Sequence, residues 1–203
     1  MLVAHELACE RGERLLFKQL GFELKQGEAL LVRGGNGHGK TSLLRILCGL
    51  SAPAAGVVNW RGEAIGNEAY RREMAYIAHA NGIKDELTPL ENLRLAAALN
   101  GRRLDENTAA TALTQLGLAR CLDLPARLLS FGQRRRVALA ALLTAGALLW
   151  ILDEPLTGLD AGGVALVEQM IRAHVAAGGM AIATTHQPLA LDGLPYQTLS
   201  VGD

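Results

Sequence analysis

Cysteine is scarce in this sequence. Its three residues, Cys9, Cys48 and Cys121, lie far apart and form no CxxC pair. That spacing argues against a disulfide framework or a zinc site and fits a reducing cytosol. An excess of one charge is also missing, since 20 Lys and Arg balance 20 Asp and Glu. A neutral chain gives no electrostatic reason to expect a nucleic-acid partner. The opening MLVAHELACERGER carries early acidic residues and no long apolar run, so it is not a signal peptide. Internal repeats and low-complexity linkers are absent as well.

One apolar stretch imitates a membrane span. Residues 137–152, VALAALLTAGALLWIL, follow Arg134, Arg135 and Arg136, a run that reads mainly as a solvated basic face. The stretch holds 16 residues, short of the ~20 that a span needs. Gly146 divides it into an Ala/Leu half and a short LLWIL half, as a buried helix followed by a buried parallel strand would be. The expectation is a soluble protein whose membrane contact comes through a partner.

What is present fits one α/β domain. The chain has 203 residues beginning at Met1, read as complete, with half of them apolar and a fifth charged. Apolar segments at 29–32, 75–78, 148–152 and 180–183 read as short buried strands. Helices are expected at 41–50, from Thr88 with Pro89 in the first turn and Glu91 closing a capping box, from Asp105 to Leu116, and at 162–177. This alternation predicts a mostly parallel core sheet covered on both faces. Residues 2–8, 21–24 and 56–60 predict an antiparallel β edge, and about 82–145 a helical insertion. The division expected is about 1–81 and 146–203 for the core plus β edge, and about 82–145 for the helical part.

The strongest local signal is Gly34-Gly35-Asn36-Gly37-His38-Gly39-Lys40-Thr41. It fits the phosphate-loop pattern G-x-x-x-x-G-K-[ST], and it lies between a predicted strand and a predicted helix, as that motif requires. Its glycines let successive N–H groups turn inward around a phosphate, and the helix adds its positive dipole end. Lys40 reaches the β- and γ-phosphates, the Thr41 hydroxyl ligates Mg²⁺, and Ser42 follows at the same helix start. ATP and Mg²⁺ are the expected ligands.

A phosphate loop needs a metal-holding carboxylate at the end of a neighbouring strand. Leu148-Leu149-Trp150-Ile151-Leu152-Asp153-Glu154 supplies one. Asp153 is expected on Mg²⁺ and Glu154 as general base for the attacking water. His186 ends another predicted strand and is expected to emerge at the same sheet edge as a γ-phosphate contact. His5, His38 and His174 read as surface or loop residues, His38 facing the loop.

Several motifs together resemble the ATP-binding-cassette (ABC) ATPases. Leu129-Ser130-Phe131-Gly132-Gln133 resembles that family's LSGGQ signature, Asp153 to Asp160 (DEPLTGLD) its acidic strand end and D-loop, and Thr185-His186 its switch histidine. The motifs run from 34 to 186 in the family's order. The resemblance implies the phosphate-loop ABC ATPase fold as a single domain. It also implies a head-to-tail homodimer in which Ser130 and Gly132, with Gln133 and Asp160, close over ATP held by the other protomer. A narrower resemblance rests on residues 82–93 (GIKDELTPLENL), the WILDEP strand end, and a chain ending soon after His186. These look like the ATP-binding subunit of the bacterial haem exporter of cytochrome c maturation. That implies integral membrane partners and a peripheral position on the cytoplasmic side of the inner membrane.

Three positions depart from the family's pattern. His79 stands where a Mg²⁺-sensing glutamine is usual, so metal contact would be weaker. The aromatic residue that stacks on adenine is missing, and Arg11 lies nearest its place, with a flat guanidinium able to stack. Phe131 replaces a signature glycine. Slow hydrolysis is the expectation. A soluble ABC ATPase serving an assembly scaffold, such as one for iron–sulfur clusters, would share every nucleotide motif. A non-hydrolytic ATP-switched module would not need Glu154.

Overall fold

The structure, a computed structural model, describes residues 1–191 and 193–202. The chain begins with a long hairpin, β1 (Leu2–Arg11) and β2 (Arg14–Leu24), then β3 (Ala29–Arg33) and α1 (Lys40–Leu47). Next come β4 (Ala55–Trp60), β5 (Glu63–Ala64), α2 (Glu68–Glu73) and β6 (Met74–Ile77). The middle is helical: α3 (Pro89–Leu99), α4 (Glu106–Gln115) and α5 (Phe131–Ala145). The chain returns to the sheet with β7 (Leu149–Asp153), α6 (Ala161–Ala176), β8 (Met180–Thr184) and β9 (Tyr196–Ser200).

Five strands form one sheet in the order β6-β7-β8-β3-β9, and every neighbouring pair is parallel. Side chains alternate between the faces of a strand, and here both faces are covered. From β7, Trp150 and Leu152 enter a core shared with α5 and α6, while Leu149 and Ile151 enter one shared with α1 and the hairpin. Burial on both sides is why 149–152 reads as an unbroken apolar run. The second sheet, order β2-β1-β4-β5, is antiparallel.

Most expected elements are found, with instructive differences. The hairpin strands run well past the expected 2–8 and 21–24. Their pairing shifts register between Ala4 and Leu7 and between Leu7 and Cys9, with Glu6 at φ 49° and Gln19 at φ 53° beside the irregularities. Such bulges break the two-residue alternation that sequence reading relies on. Strand β9 was not expected because it is an exposed edge with no buried apolar pattern. Helix α2, six residues long, is too short to show a period.

The capping box of α3 is in place: Thr88 N donates to Glu91 Oε2 at 2.8 Å, and Glu91 N to Thr88 Oγ1 at 3.2 Å. Asp105 caps α4 by accepting from Thr108 N at 2.9 Å. Residues 137–152 are the body of α5 and strand β7, parted by Gly146 at φ 59°. No helix of the described residues is long and apolar enough to cross a membrane.

His174 corrects the surface reading. Its ring stacks on Trp150 with centroids 3.7 Å apart and planes 4° from parallel. Its Nε2 lies 3.2 Å from Leu148 O and 3.2 Å from Met180 O. Two carbonyls can only accept, so Nε2 carries a proton. Burial pulls the imidazole pKa down against those two bonds.

Candidate active site

The phosphate loop connects the end of β3 to the start of α1. Gly34, at φ 149°, has Val201 O directly against its Cα, where any Cβ would collide. Gly39, at φ 98°, is pressed by Leu16 and Phe17 of the hairpin. Both positions demand glycine on two counts, conformation and space. The end of the chain is part of this wall, since Val201 N donates to Arg33 O at 2.8 Å and Gly202 lies against His38. The His38 ring itself leans over Gly35. Asn36 and Gly37 are exposed at the loop's tip.

Lys40 is buried, and its Nζ donates to Gly34 O at 2.8 Å and Gly35 O at 3.1 Å. An ammonium so placed offers positive charge to the concave side of the loop. Thr41 Oγ1 donates to Asp153 Oδ2 at 2.9 Å, across 112 residues of chain. Hydroxyl and carboxylate are hard oxygen donors that suit Mg²⁺. Ser42 follows Thr41 on α1. The sequence reading grouped His79 with these two, but among the described residues no hydrogen bond joins it to either. His79 stands instead beside Glu154, Nδ1 to Oε2 at 3.8 Å.

Glu154 follows β7 with φ 51°, a left-handed backbone that costs a non-glycine residue about 1–3 kcal/mol and persists only where neighbours enforce it. Its carboxylate accepts from Thr157 Oγ1 at 3.1 Å and meets His186 Nε2 at 3.1 Å. The two histidines thus flank the carboxylate, on opposite oxygens, at the carboxyl end of the parallel sheet. His186 emerges at this edge as the sequence implied.

Two residues missed by sequence reading organise this edge. Thr184 Oγ1 donates to Asp153 Oδ1 at 2.8 Å and accepts from Glu154 N at 2.8 Å. Arg135 is 1% exposed, which overturns the reading of Arg134 to Arg136 as mainly a solvated face. Its guanidinium donates to Ala78 O, His79 O and Asn81 Oδ1 on one side, and to Asp153 O, Glu154 O and Pro155 O on the other. Burial lowers its pKa, opposed by Asp153 and Glu154. Arg136 turns inward too, donating to Leu116 O at 3.0 Å, and Arg134 pairs with Asp85 at 3.3 Å. The run lies within α5, whose buried positions begin at Arg135 and continue through Val137 to Ala140, so Arg135 is enclosed with them. Arg135 lies four positions before buried Leu139, on the same helix face, yet buried residues on most sides of α5 leave no period that singles it out.

The signature segment starts α5. Ser130 Oγ accepts from Gln133 N at 3.2 Å, and Ser130 N donates to Gln133 Oε1 at 2.8 Å, a reciprocal capping box. Gln133 therefore spends its carbonyl on its own helix start. Phe131 is half-exposed, and its ring covers Gly158, a position with room for no side chain. Asp160 caps α6 by accepting from Gly163 N at 2.7 Å. Arg11 is exposed at the hairpin turn, two residues beyond Cys9.

A parallel sheet with a glycine loop at one strand end, acidic residues at the next but one, and a helix-capping serine on an inserted helical layer define a nucleotide-binding cassette. The ABC transporter family profile matches residues 17–157. The chain belongs to that family. The cytochrome c biogenesis ATP-binding export protein CcmA of Nitrosomonas europaea is 53% identical over 193 residues, covering 94% of this chain and 91% of that protein. The protein of the same name from Dechloromonas aromatica is 48% identical over 204 residues, covering both chains completely. Among solved structures, an ABC transporter ATP-binding protein from Pyrococcus furiosus superposes with a TM-score of 0.86 at 22% identity, covering 98% of this chain and 96% of that one. A dimeric ATP-binding cassette in a post-hydrolysis state, bound to ADP and Pi, gives 0.82 at 23% identity over 92% and 88%. At those identities the likeness speaks for the fold.

Proposed function

We propose that this chain is the ATP-binding and ATP-hydrolysing subunit of the haem exporter of cytochrome c biogenesis, coupling hydrolysis to haem export or to release of a haem-loaded chaperone. The observation that carries the ATPase reading is the linked set Thr41–Asp153–Thr184–Glu154, which ties the phosphate loop to the base position. The roughly half-identical export proteins of cytochrome c biogenesis support the transport reading.

Each residue has a task. The loop amides of Gly35 to Thr41 and the Lys40 ammonium bind the β- and γ-phosphates of ATP. Thr41 and Asp153 would hold Mg²⁺, which supplies positive charge against the negative charge building on the transferred phosphoryl group. The fit is chemical, since both offer oxygen, and Thr184 fixes the second Asp153 oxygen at 2.8 Å. Glu154 accepts the proton of the attacking water on a carboxylate oxygen. His186, on the other side of that carboxylate, orients it and contacts the γ-phosphate. His79 faces the same carboxylate from the entrance. Arg11, exposed at the hairpin turn, stacks on adenine.

Ser130 and Gly132 lie at the amino end of α5, where free N–H groups and the helix dipole favour an anion. They close over ATP bound to a second copy arranged head to tail. Integral membrane subunits dock from outside. The cleft between α3 and β6, about 1270 Å³ and rimmed by Leu50, Tyr76, Ile83 and Leu99, suits a partner segment with an apolar face. Leu50 is 58% and Leu99 79% exposed there. The subunit then sits peripherally on the cytoplasmic side of the inner membrane.

The test is fractionation with ATPase measurement. Co-expressed with the products of its neighbouring genes, the full chain should be recovered with membrane proteins and should hydrolyse ATP. Recovery only in the soluble fraction would count against transport and favour an assembly-scaffold ATPase.

A further inference from the structure

We infer that Arg135 is a positioning residue that sets the carboxylate of Glu154 and makes the position of the signature helix felt at the base of the same chain. It rests on Glu154 being that base, as proposed above.

Six acceptors meet one guanidinium, and they come from two parts of the chain. Arg135 Nη1 donates to Ala78 O at 2.8 Å, His79 O at 3.3 Å and Asn81 Oδ1 at 3.1 Å, all in the segment after β6. Nη2 donates to Asp153 O at 2.7 Å and Glu154 O at 2.9 Å, and Nε to Pro155 O at 3.4 Å, all at the end of β7. The residue itself belongs to α5, five positions after Ser130 on the same rigid helix.

The backbone of Glu154 needs such a clamp. A left-handed glutamate is not at rest, and its orientation is fixed by bonds at both ends of the residue. Thr184 holds its N–H, and Arg135 holds its carbonyl together with that of Asp153. The same guanidinium fixes the carbonyl of His79, whose ring faces the Glu154 carboxylate. Base and flanking imidazole therefore share one tether. A planar five-donor fork can serve two strand ends at once, and an ammonium cannot. A shift of α5 as Ser130 engages a phosphate is transmitted through this one side chain to Glu154.

The experiment uses the full chain purified with its membrane partners, and compares Arg135→Gln, Arg135→Lys and Asn81→Ala with wild type. Turnover, ATP affinity by a fluorescent ATP analogue, and melting temperature are measured for each. Arg135→Gln should lower kcat at least tenfold while the dissociation constant for nucleotide stays within twofold. Arg135→Lys should recover part of that loss. Equal kcat in wild type and Arg135→Gln, or a loss of affinity as large as the loss of turnover, overturns the inference. If the Arg135 variants fail to fold, Asn81→Ala decides, because it removes only the side-chain acceptor. It should lower kcat at least threefold at unchanged affinity, and unchanged kcat overturns the inference. Wild type and Glu154→Gln are run in parallel. If wild type is inactive, or Glu154→Gln turns over normally, the ATPase assignment itself fails, a result distinct from failure of the tether.

Discussion

Thr184 Oγ1 sits between Asp153 and Glu154, donating to the carboxylate of the first at 2.8 Å and accepting from the amide of the second at 2.8 Å. One hydroxyl thus ties the carboxylate proposed to hold Mg²⁺ to the start of the left-handed residue proposed as the base. Thr184 is fully buried at the end of β8, so no water replaces it.

Thr184→Val keeps the shape and removes both bonds. It leaves Asp153 Oδ1 without its donor and Glu154 N without an acceptor, at a cost of about 1–3 kcal/mol in stability. Turnover should fall about tenfold, since a base displaced by a fraction of an ångström loses its alignment. Denaturant unfolding and steady-state hydrolysis check both, and wild-type turnover in Thr184→Val would remove the link.

Lys40→Ala should reduce hydrolysis at least about 100-fold, as expected when a preorganised charge is taken from a phosphoryl-transfer site. Nucleotide affinity should fall with it. Measured binding equal to wild type would mean that the loop amides suffice and that Lys40 serves only the loop's own carbonyls.

Glu154→Gln should retain ATP but lose about 10²–10⁴ in turnover, the usual contribution of a positioned base. The amide keeps a partner for Thr157 Oγ1, so the melting temperature should change little. Sedimentation with ATP should show association of this variant, because the proposed pairing holds unhydrolysed ATP between two copies. A strictly monomeric Glu154→Gln in saturating ATP, with its partners present, counts against the head-to-tail pairing.

Ser130→Ala and Gln133→Ala each break one half of the α5 capping box, and each should destabilise the fold by about 1 kcal/mol. Their turnover should separate them. Ser130→Ala should lose activity well beyond what its stability explains, whereas Gln133→Ala should follow stability. Equal effects would make Ser130 a helix cap and nothing more.

His174 gives a pH test. Burial lowers its pKa in the folded chain, while the unfolded chain keeps the usual value of about 6.5. As pH falls through that value the unfolded state takes up a proton that the folded state resists, so stability falls. His174→Phe keeps a ring against Trp150 but cannot donate to Leu148 O or Met180 O. It should be about 1 kcal/mol less stable near pH 7.5 and lose less stability between pH 7.5 and 5.5. Urea unfolding at the two pH values compares the slopes, and identical slopes would show that His174 has the same pKa folded and unfolded.

What was legible in the sequence by itself is local in its physics. A glycine loop between an apolar strand and a helix, Thr88 and Glu91 three residues apart, and Gly146 after an Ala/Leu run act through nearby backbone, so their geometry follows from spacing. Asp153 and Glu154 were readable because a strand buried on both faces needs a reason to end in charge. The tertiary structure alone decided Arg135, whose carbonyl partner Ala78 lies 57 residues away, and Thr184, 31 residues from Asp153. A basic run and a threonine at a strand end look like surface until the fold encloses them. It likewise decided that Val201 and Gly202 wall the phosphate loop, that edge strand β9 exists, and that His174 stacks on Trp150. Each of these depends on which distant segments the parallel sheet brings together, and one-dimensional spacing carries no record of that.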